Sequence, residues 1–339
     1  MPVTTREWQL AARPHGEPTP DDFRLVELER HDPADGQIVV RMLAMSVDPY
    51  MRGRMNAGKS YAAAWEVGET MKGGAVGRVV DSRAPAVPEG ALVLADAAWR
   101  DVAVLDARHV RGLPELPGIP PSYHLGVLGM PGLTAWVGLF RLAAFREGDT
   151  VFVSGAAGAV GSLVGQFARL NGASAVIGSA GTPDKVRWLT DELGFTAAFD
   201  YHDGPVAQQL KAAAPGGIDV FFDNVGGEHL EAAIGAFREF GRAALCGAIS
   251  GYNATEAVPG PKNFSALMVS KRLAVTGLLV GDHSDLRGEF AESGTGWIRS
   301  GELVVRETVR EGLDDAVPAF LDLLRGANTG KMIVRLADD

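Results

Sequence analysis

From Thr150 onward the chain alternates short apolar runs with helical segments, and this alternation limits the possible folds more than any other feature. Thr150–Ser154 (TVFVS), Ala175–Gly178, Ala197–Tyr201, Ile218–Val225, Arg242–Ile249 and Arg272–Val280 have strand character. Helical segments lie between them: Ala159–Leu170, one that Thr182 caps and Pro183 opens and that ends at Gly194, and Glu228–Phe240. Strand, helix and parallel strand connect by a right-handed crossover, so the alternation predicts a doubly wound parallel sheet of about six strands. The earlier part is different. Gln37–Ser46, Gly74–Asp81 and Ala91–Asp96 are apolar runs broken by Pro, Gly and Asp, which predicts a small β-rich domain. Leu113–Pro121 (LPELPGIPP) marks the change. Near the end, Val304–Val309 and Lys331–Leu336 have strand pattern again, around a helix near Leu313–Arg325.

Composition narrows the function. The 339 residues include one cysteine, Cys246, which excludes multi-cysteine zinc and iron–sulfur sites. Seven histidines show no HxxxH or HExxH spacing, so no catalytic zinc is expected. A formal net charge of −10 would repel phosphate backbones, and no nucleic-acid partner is expected. No apolar run reaches the roughly eighteen residues of a membrane span. The opening MPVTTREWQL carries charge where a leader needs an apolar stretch, so the expected location is cytoplasmic.

The sharpest local signal is Val151–Gly161 (VFVSGAAGAVG), on a strand-to-helix turn. Ala156, Gly158 and Gly161 form an A-x-G-x-x-G variant of the dinucleotide fingerprint. Gly158 would admit a pyrophosphate to the backbone, and Gly161 would let the helix pack on its strand. An NAD site places an acid about 20 residues after the glycines. Here the second strand ends in Gly178-Ser179-Ala180-Gly181-Thr182, without a carboxylate. Lys185 can pair with a 2′-phosphate, and Tyr201 can add its hydroxyl. The expected cofactor is NADP(H).

Several ordered motifs resemble one family. They are Val47–Arg52 (VDPYMR), Gly129–Ala135 (GMPGLTA), Ala156–Gly161 (AAGAVG), Phe222–Gly227 (FDNVGG), Cys246–Asn253 (CGAISGYN) and Gly326–Lys331 (GANTGK). Together they resemble the zinc-independent medium-chain dehydrogenase/reductases, in the prostaglandin reductase and alkenal double-bond reductase branch. The resemblance implies an α/β protein with a GroES-like β-rich catalytic domain, residues 1–125 and 303–339, and a Rossmann NADP-binding domain, residues 126–302. It implies that Ala157, Gly158, Ala159, Val160 and Gly161 line the pyrophosphate, and that Lys185 and Tyr201 hold the adenosine 2′-phosphate. Asn224 would lie along the cofactor. Cys246, Gly247, Ile249 and Ser250 would pass near the nicotinamide half, as would Leu278, Leu279 and Val280, and Asn328 would reach it from the tail. A homodimer paired at the sheet edge formed by Leu273–Val280 is implied as well. The family often has a tyrosine where this chain has Ser270, so a phenol is missing there.

With no zinc to polarise an alcohol, the coherent reaction is reduction of an activated C=C bond. Hydride would reach the β-carbon of an unsaturated ketone or aldehyde, and the resulting enolate needs hydrogen-bond donors. Tyr50 and Tyr252 are the candidate catalytic hydroxyls, though either ring can equally form a pocket wall. The expected partner is a small electrophilic alkene. A quinone reductase and a non-catalytic NADPH-binding protein remain the alternatives.

Overall fold

The computed structural model describes residues 3–58, 60–256 and 258–339. The chain divides into two units. One runs up to Gly126 and takes in Glu307–Asn328 and Met332–Asp339, and the other consists of Val127–Arg306 and Thr329–Lys331.

The first unit begins with a hairpin that the sequence patterning did not single out. β1 (Val3–Leu10) pairs antiparallel with β2 (Phe23–Arg30), from Val3 opposite Arg30 to Leu10 opposite Phe23. β3 (Gln37–Ser46) has the bounds its apolar run predicts and is the hub of the main sheet. After the short α1 (Met51–Arg54) come β4 (Ala75–Ser82), β5 (Leu92–Ala95), β6 (Val102–Asp106) and β7 (Arg111–Gly112). β4 and β6 both pair antiparallel with β3. Trp99 is fully buried in this core, stacked on Phe23 at 6.4 Å and edge-on to Trp65 at 6.1 Å.

In the second unit α2 (Met130–Trp136) continues into a π-helical turn, Val137–Leu142. Then β8 (Thr150–Val153), α3 (Gly161–Leu170), β9 (Ala175–Ala180), α4 (Pro183–Asp191), β10 (Ala197–Asp200), α5 (Val206–Ala213) and β11 (Ile218–Asp223) alternate regularly. α6 (Gly227–Ala236), β12 (Phe237–Leu245), α7 (Phe264–Lys271), β13 (Ala274–Gly277) and α8 (Arg287–Ser300) follow. Among the described residues the six strands β8–β13 are all parallel, in the order β10-β9-β8-β11-β12-β13. That is the doubly wound Rossmann order, and it reverses between β8 and β11. Ligands of such sheets bind outside the carboxyl ends of the strands at this reversal. Phe152 and Phe221, on those two strands, stack at 5.0 Å in the core.

The tail supplies β14 (Glu307–Glu311), α9 (Ala316–Leu324) and β15 (Lys331–Arg335). β15 pairs antiparallel with β3, and Phe320 of α9 packs edge-on against Trp99 at 5.8 Å.

Four expected elements need correction. The strand expected over Arg242–Ile249 runs over Phe237–Leu245 and has ended before the helical turn Ile249–Gly251. The helix expected over Glu228–Phe240 stops at Ala236, because Phe237 turns extended (φ −57°, ψ 141°) and starts β12. β12 then shifts register against β11 between Ile218 and Val220, and its Phe240 takes a left-handed φ of +63°. The strand expected over Arg272–Val280 is only Ala274–Gly277, since Arg272 is itself left-handed. The strand expected at Val304–Val309 begins at Glu307.

Candidate active site

The carboxyl end of the parallel sheet is organised around the turn after β8. Gly155 takes a left-handed φ of +57°, which a side chain would disfavour. The Ala156 N–H donates to the Ser179 carbonyl on β9 (2.8 Å), and Gly158 N–H closes the turn on Gly155 O (3.0 Å). A Cβ on Gly158 would meet only Gly155 O, at 3.3 Å, so this backbone is otherwise open to a ligand. At Gly161 a Cβ would stand 2.5 Å from Gly155 O, so this glycine lets α3 close over the turn. Close approach of α3 to its neighbour instead uses Gly165, where a Cβ would lie 2.0 Å from the Phe195 ring. Ala157 O accepts the Gly330 N–H at 2.8 Å, which seats Thr329–Lys331 against this turn.

The second corner lies at the end of β9. Thr182 caps α4, accepting Lys185 N–H on its hydroxyl at 3.3 Å, with Pro183 at the first helical position. Tyr201 stands over Gly181, whose imagined Cβ would be 2.8 Å from the tyrosine hydroxyl. Lys185 therefore sits in the first turn of α4, and burial lowers its pKa. A cation in the first turn of a helix favours an anion beside it. Asp184 pairs with Arg187, while Asp200 accepts both the backbone N–H and Nδ1 of His202 at 3.0 Å. The buried Ser179 hydroxyl and His229 Nε2 find no hydrogen-bond partner among the described residues. Lys185 and Tyr201 fit an adenosine 2′-phosphate. Ser179 and His229 are buried beside them, at 0% and 5% exposure, and were not singled out from the sequence, since a lone Ser and a lone His carry no spacing signal.

The third corner is the strand-order reversal itself. Asn224 follows β11, and its side-chain amide donates to Ser154 O at 2.8 Å. The segment after β12 is held against it: Cys246 and Gly247 N–H donate to Asp223 O (2.8 and 3.0 Å), and Ile249 N–H to Asn224 O (3.3 Å). Ser250 donates to Val225 O through its hydroxyl at 2.6 Å. The Tyr252 hydroxyl lies over Gly247, 3.3 Å from where a Cβ would be. Leu278 is tied to this corner by its N–H on Leu245 O (2.8 Å), while Leu279 is 41% exposed. Burial of the Cys246 thiol, with Asp223 adding to it, pushes its pKa up to about 12, away from thiolate character.

Most of the expected cofactor residues thus converge on one edge of one sheet. Tyr50 and Asn328 belong to the first unit. Tyr50 packs on that unit's core, and burial, with Asp48 beside it, raises its pKa, while Arg54 opposes that rise. Asn328 is buried. Ser270 is exposed on α7 and bonds only weakly to Leu267 O, at 3.5 Å. Among the described residues no three His, Cys, Asp or Glu side chains are placed to hold a metal ion.

Two family models match the chain, the N-terminal domain of oxidoreductase over residues 6–113 and zinc-binding dehydrogenase over residues 159–293. The NADPH-dependent curcumin reductase of Escherichia coli (strain K12) is 40% identical, across 98% of this chain and 97% of its own. Prostaglandin reductase 1 of Oryctolagus cuniculus is 40% identical, across 97% and 93%. The chain belongs to the zinc-independent, NADPH-dependent branch of the medium-chain dehydrogenase/reductases. Its first unit is accordingly the GroES-like part of that fold and its second the Rossmann part. The crystal structure of CurA in complex with NADPH from Vibrio vulnificus superimposes with a TM-score of 0.92 at 41% identity, covering 98% of this chain and all of that one. One matching family description names zinc, but this medium-chain reductase carries a single cysteine and no metal-binding cluster among its described residues.

Proposed function

We propose that the protein reduces the C=C bond of α,β-unsaturated ketones and aldehydes with NADPH and without zinc. The observation that carries this reading is the Lys185–Tyr201 corner beside an open glycine turn, with no metal-ligand set among the described residues. When bound, NADPH supplies the hydride, which goes to the β-carbon of the substrate. The protein's residues do the rest. Backbone N–H groups of Ala157–Gly161 face the pyrophosphate, Lys185 and Tyr201 hold the 2′-phosphate, and Asn224, Cys246, Gly247, Ile249, Ser250, Leu278, Leu279, Val280 and Asn328 line the remainder of the cofactor. A hydroxyl of Tyr50 or Tyr252 donates to the oxygen on which the enolate charge develops, and water protonates the α-carbon. Preorganised donors of this kind lower the barrier without polarisation by a metal.

The GroES-like domain, residues 1–125 and 303–339, supplies the catalytic walls, and residues 126–302 bind NADP(H). Two copies pair through β13. This strand ends the parallel sheet, with Ala274, Thr276 and Gly277 exposed and Val275 half-buried. An unpaired sheet edge invites strand addition, and a second copy satisfies it.

A panel of enones, enals, quinones and saturated ketones, each with NADPH and followed at the nicotinamide absorbance, tests the reading. Turnover confined to the activated alkenes is expected. Preference for quinones would make it a quinone reductase, and tight NADPH binding without turnover would make it a binding protein.

A further inference from the structure

At the strand-order reversal a single carboxylate oxygen gathers three donors. Asp223 Oδ1 accepts the Ser154 hydroxyl (2.7 Å), the Gly226 N–H (2.9 Å) and the Val225 N–H (3.0 Å). Both side chains are buried, Asp223 at 1% and Ser154 at 0% exposure. Ser154 joins the two strands in both directions, because its oxygen also accepts the Asn224 N–H at 2.9 Å. With its proton given to Asp223 and its lone pair to Asn224, the hydroxyl has one orientation.

This brace spans a glycine-rich turn. Gly226 and Gly227 are both left-handed, at φ +74° and +53°, and two successive glycines lose much conformational freedom on being fixed. The segment Cys246–Ser250 has its backbone bonds to the carbonyls of Asp223, Asn224 and Val225, so it inherits whatever position the turn takes. Burial raises the pKa of Asp223, and the bonds from Gly226, Ser154 and Val225 oppose that rise. Taking a carboxylate out of water is costly, and a strand could end here on an uncharged residue. A buried acid that spends its acceptor capacity on one turn preorganises that turn.

We propose that Asp223, with Ser154, is a positioning residue for the nicotinamide half of the cofactor. Neither touches the cofactor. Together they fix the Asn224–Gly227 turn, and through it the Cys246–Tyr252 segment, before the cofactor arrives. This deepens the function proposed above and rests on it.

The two halves of the cofactor provide the test. Adenosine 2′,5′-bisphosphate should occupy only the corner of Lys185 and Tyr201, whereas NADPH needs both corners. By calorimetry, Asp223→Ala is expected to bind NADPH about 10- to 100-fold more weakly, because three buried donors lose their acceptor. The same variant should bind adenosine 2′,5′-bisphosphate within about twofold of wild type, a limit well inside a tenfold step of 1.4 kcal/mol. Asp223→Asn keeps a carbonyl oxygen for the same donors and should retain NADPH affinity. Should Asp223→Ala fail to fold, Ser154→Ala must show the same selective loss, about three- to tenfold. Equal weakening of both ligands in the variant that folds would make the brace merely structural, and unchanged NADPH affinity would remove its role. If wild type binds neither ligand, the cofactor reading itself falls and the positioning role falls with it.

Discussion

Lys185 occupies the first turn of α4, where burial and the helix's positive end both work against its charge. A doubly charged phosphate reverses that balance, because charge-assisted bonds to a phosphate are among the stronger polar contacts. Lys185→Ala should therefore weaken NADPH by about tenfold or more, measured as a dissociation constant, and leave NADH almost unchanged. Equal loss for both cofactors would remove the 2′-phosphate from this corner. The tyrosines are separable in the same way. Tyr50 keeps its proton at neutral pH like any tyrosine, and burial with Asp48 raises its pKa further. In Tyr50→Phe and Tyr252→Phe, the variant whose hydroxyl meets the enolate oxygen is expected to lose about 10²–10³ in kcat with little change in KM. A hydroxyl that only lines the pocket would mainly change KM. If kcat survives in both, the oxygen takes its hydrogen bonds from the cofactor ribose, backbone N–H groups or water.

At the scale of elements, periodicity carried the reading furthest where local and tertiary preferences agree. β3 and the Thr182–Pro183 helix start lie where their residues predict. The boundary between α6 and β12 does not, because Phe237–Phe240 has helical composition but is drawn into the sheet beside β11. The β1–β2 hairpin escaped for a similar reason, since its strands mix charge into an alternating pattern that only the partner strand makes sense of. In the site, the glycine turn and Lys185 were legible as local motifs. The Ser154–Asp223 brace was not, because it joins two strands 69 residues apart. His229 shows what such packing does to stability. Buried on α6, edge-on to Tyr201 at 5.4 Å, it has its pKa pushed down from 6.5 to about 4 by burial. The unfolded chain then binds this proton first as pH falls, so stability declines between about pH 6.5 and 4 and rises with pH across that window. His229→Phe should remove about 3 kcal/mol of that decline, read from denaturant midpoints at the two pH values. An unchanged slope would mean that the ring is solvated in the native state.

For the whole molecule, the exposed edge of β13 is the feature that a monomer explains least. Light scattering at micromolar concentration should give twice the 35.7 kDa chain mass, and a monomer mass would leave that edge unpaired. The claim that binds the rest together is chemical: hydride moves from NADPH to the β-carbon of an activated alkene, with no metal on the carbonyl. The direct measurement is the position of the label after turnover of an enone with NADPH carrying deuterium at the transferred position. Deuterium on the β-carbon of a saturated ketone is the expected result, unchanged when the enzyme has been dialysed against a chelator. Deuterium on the former carbonyl carbon, as an allylic alcohol, or activity that disappears with the chelator and returns with zinc, would contradict it.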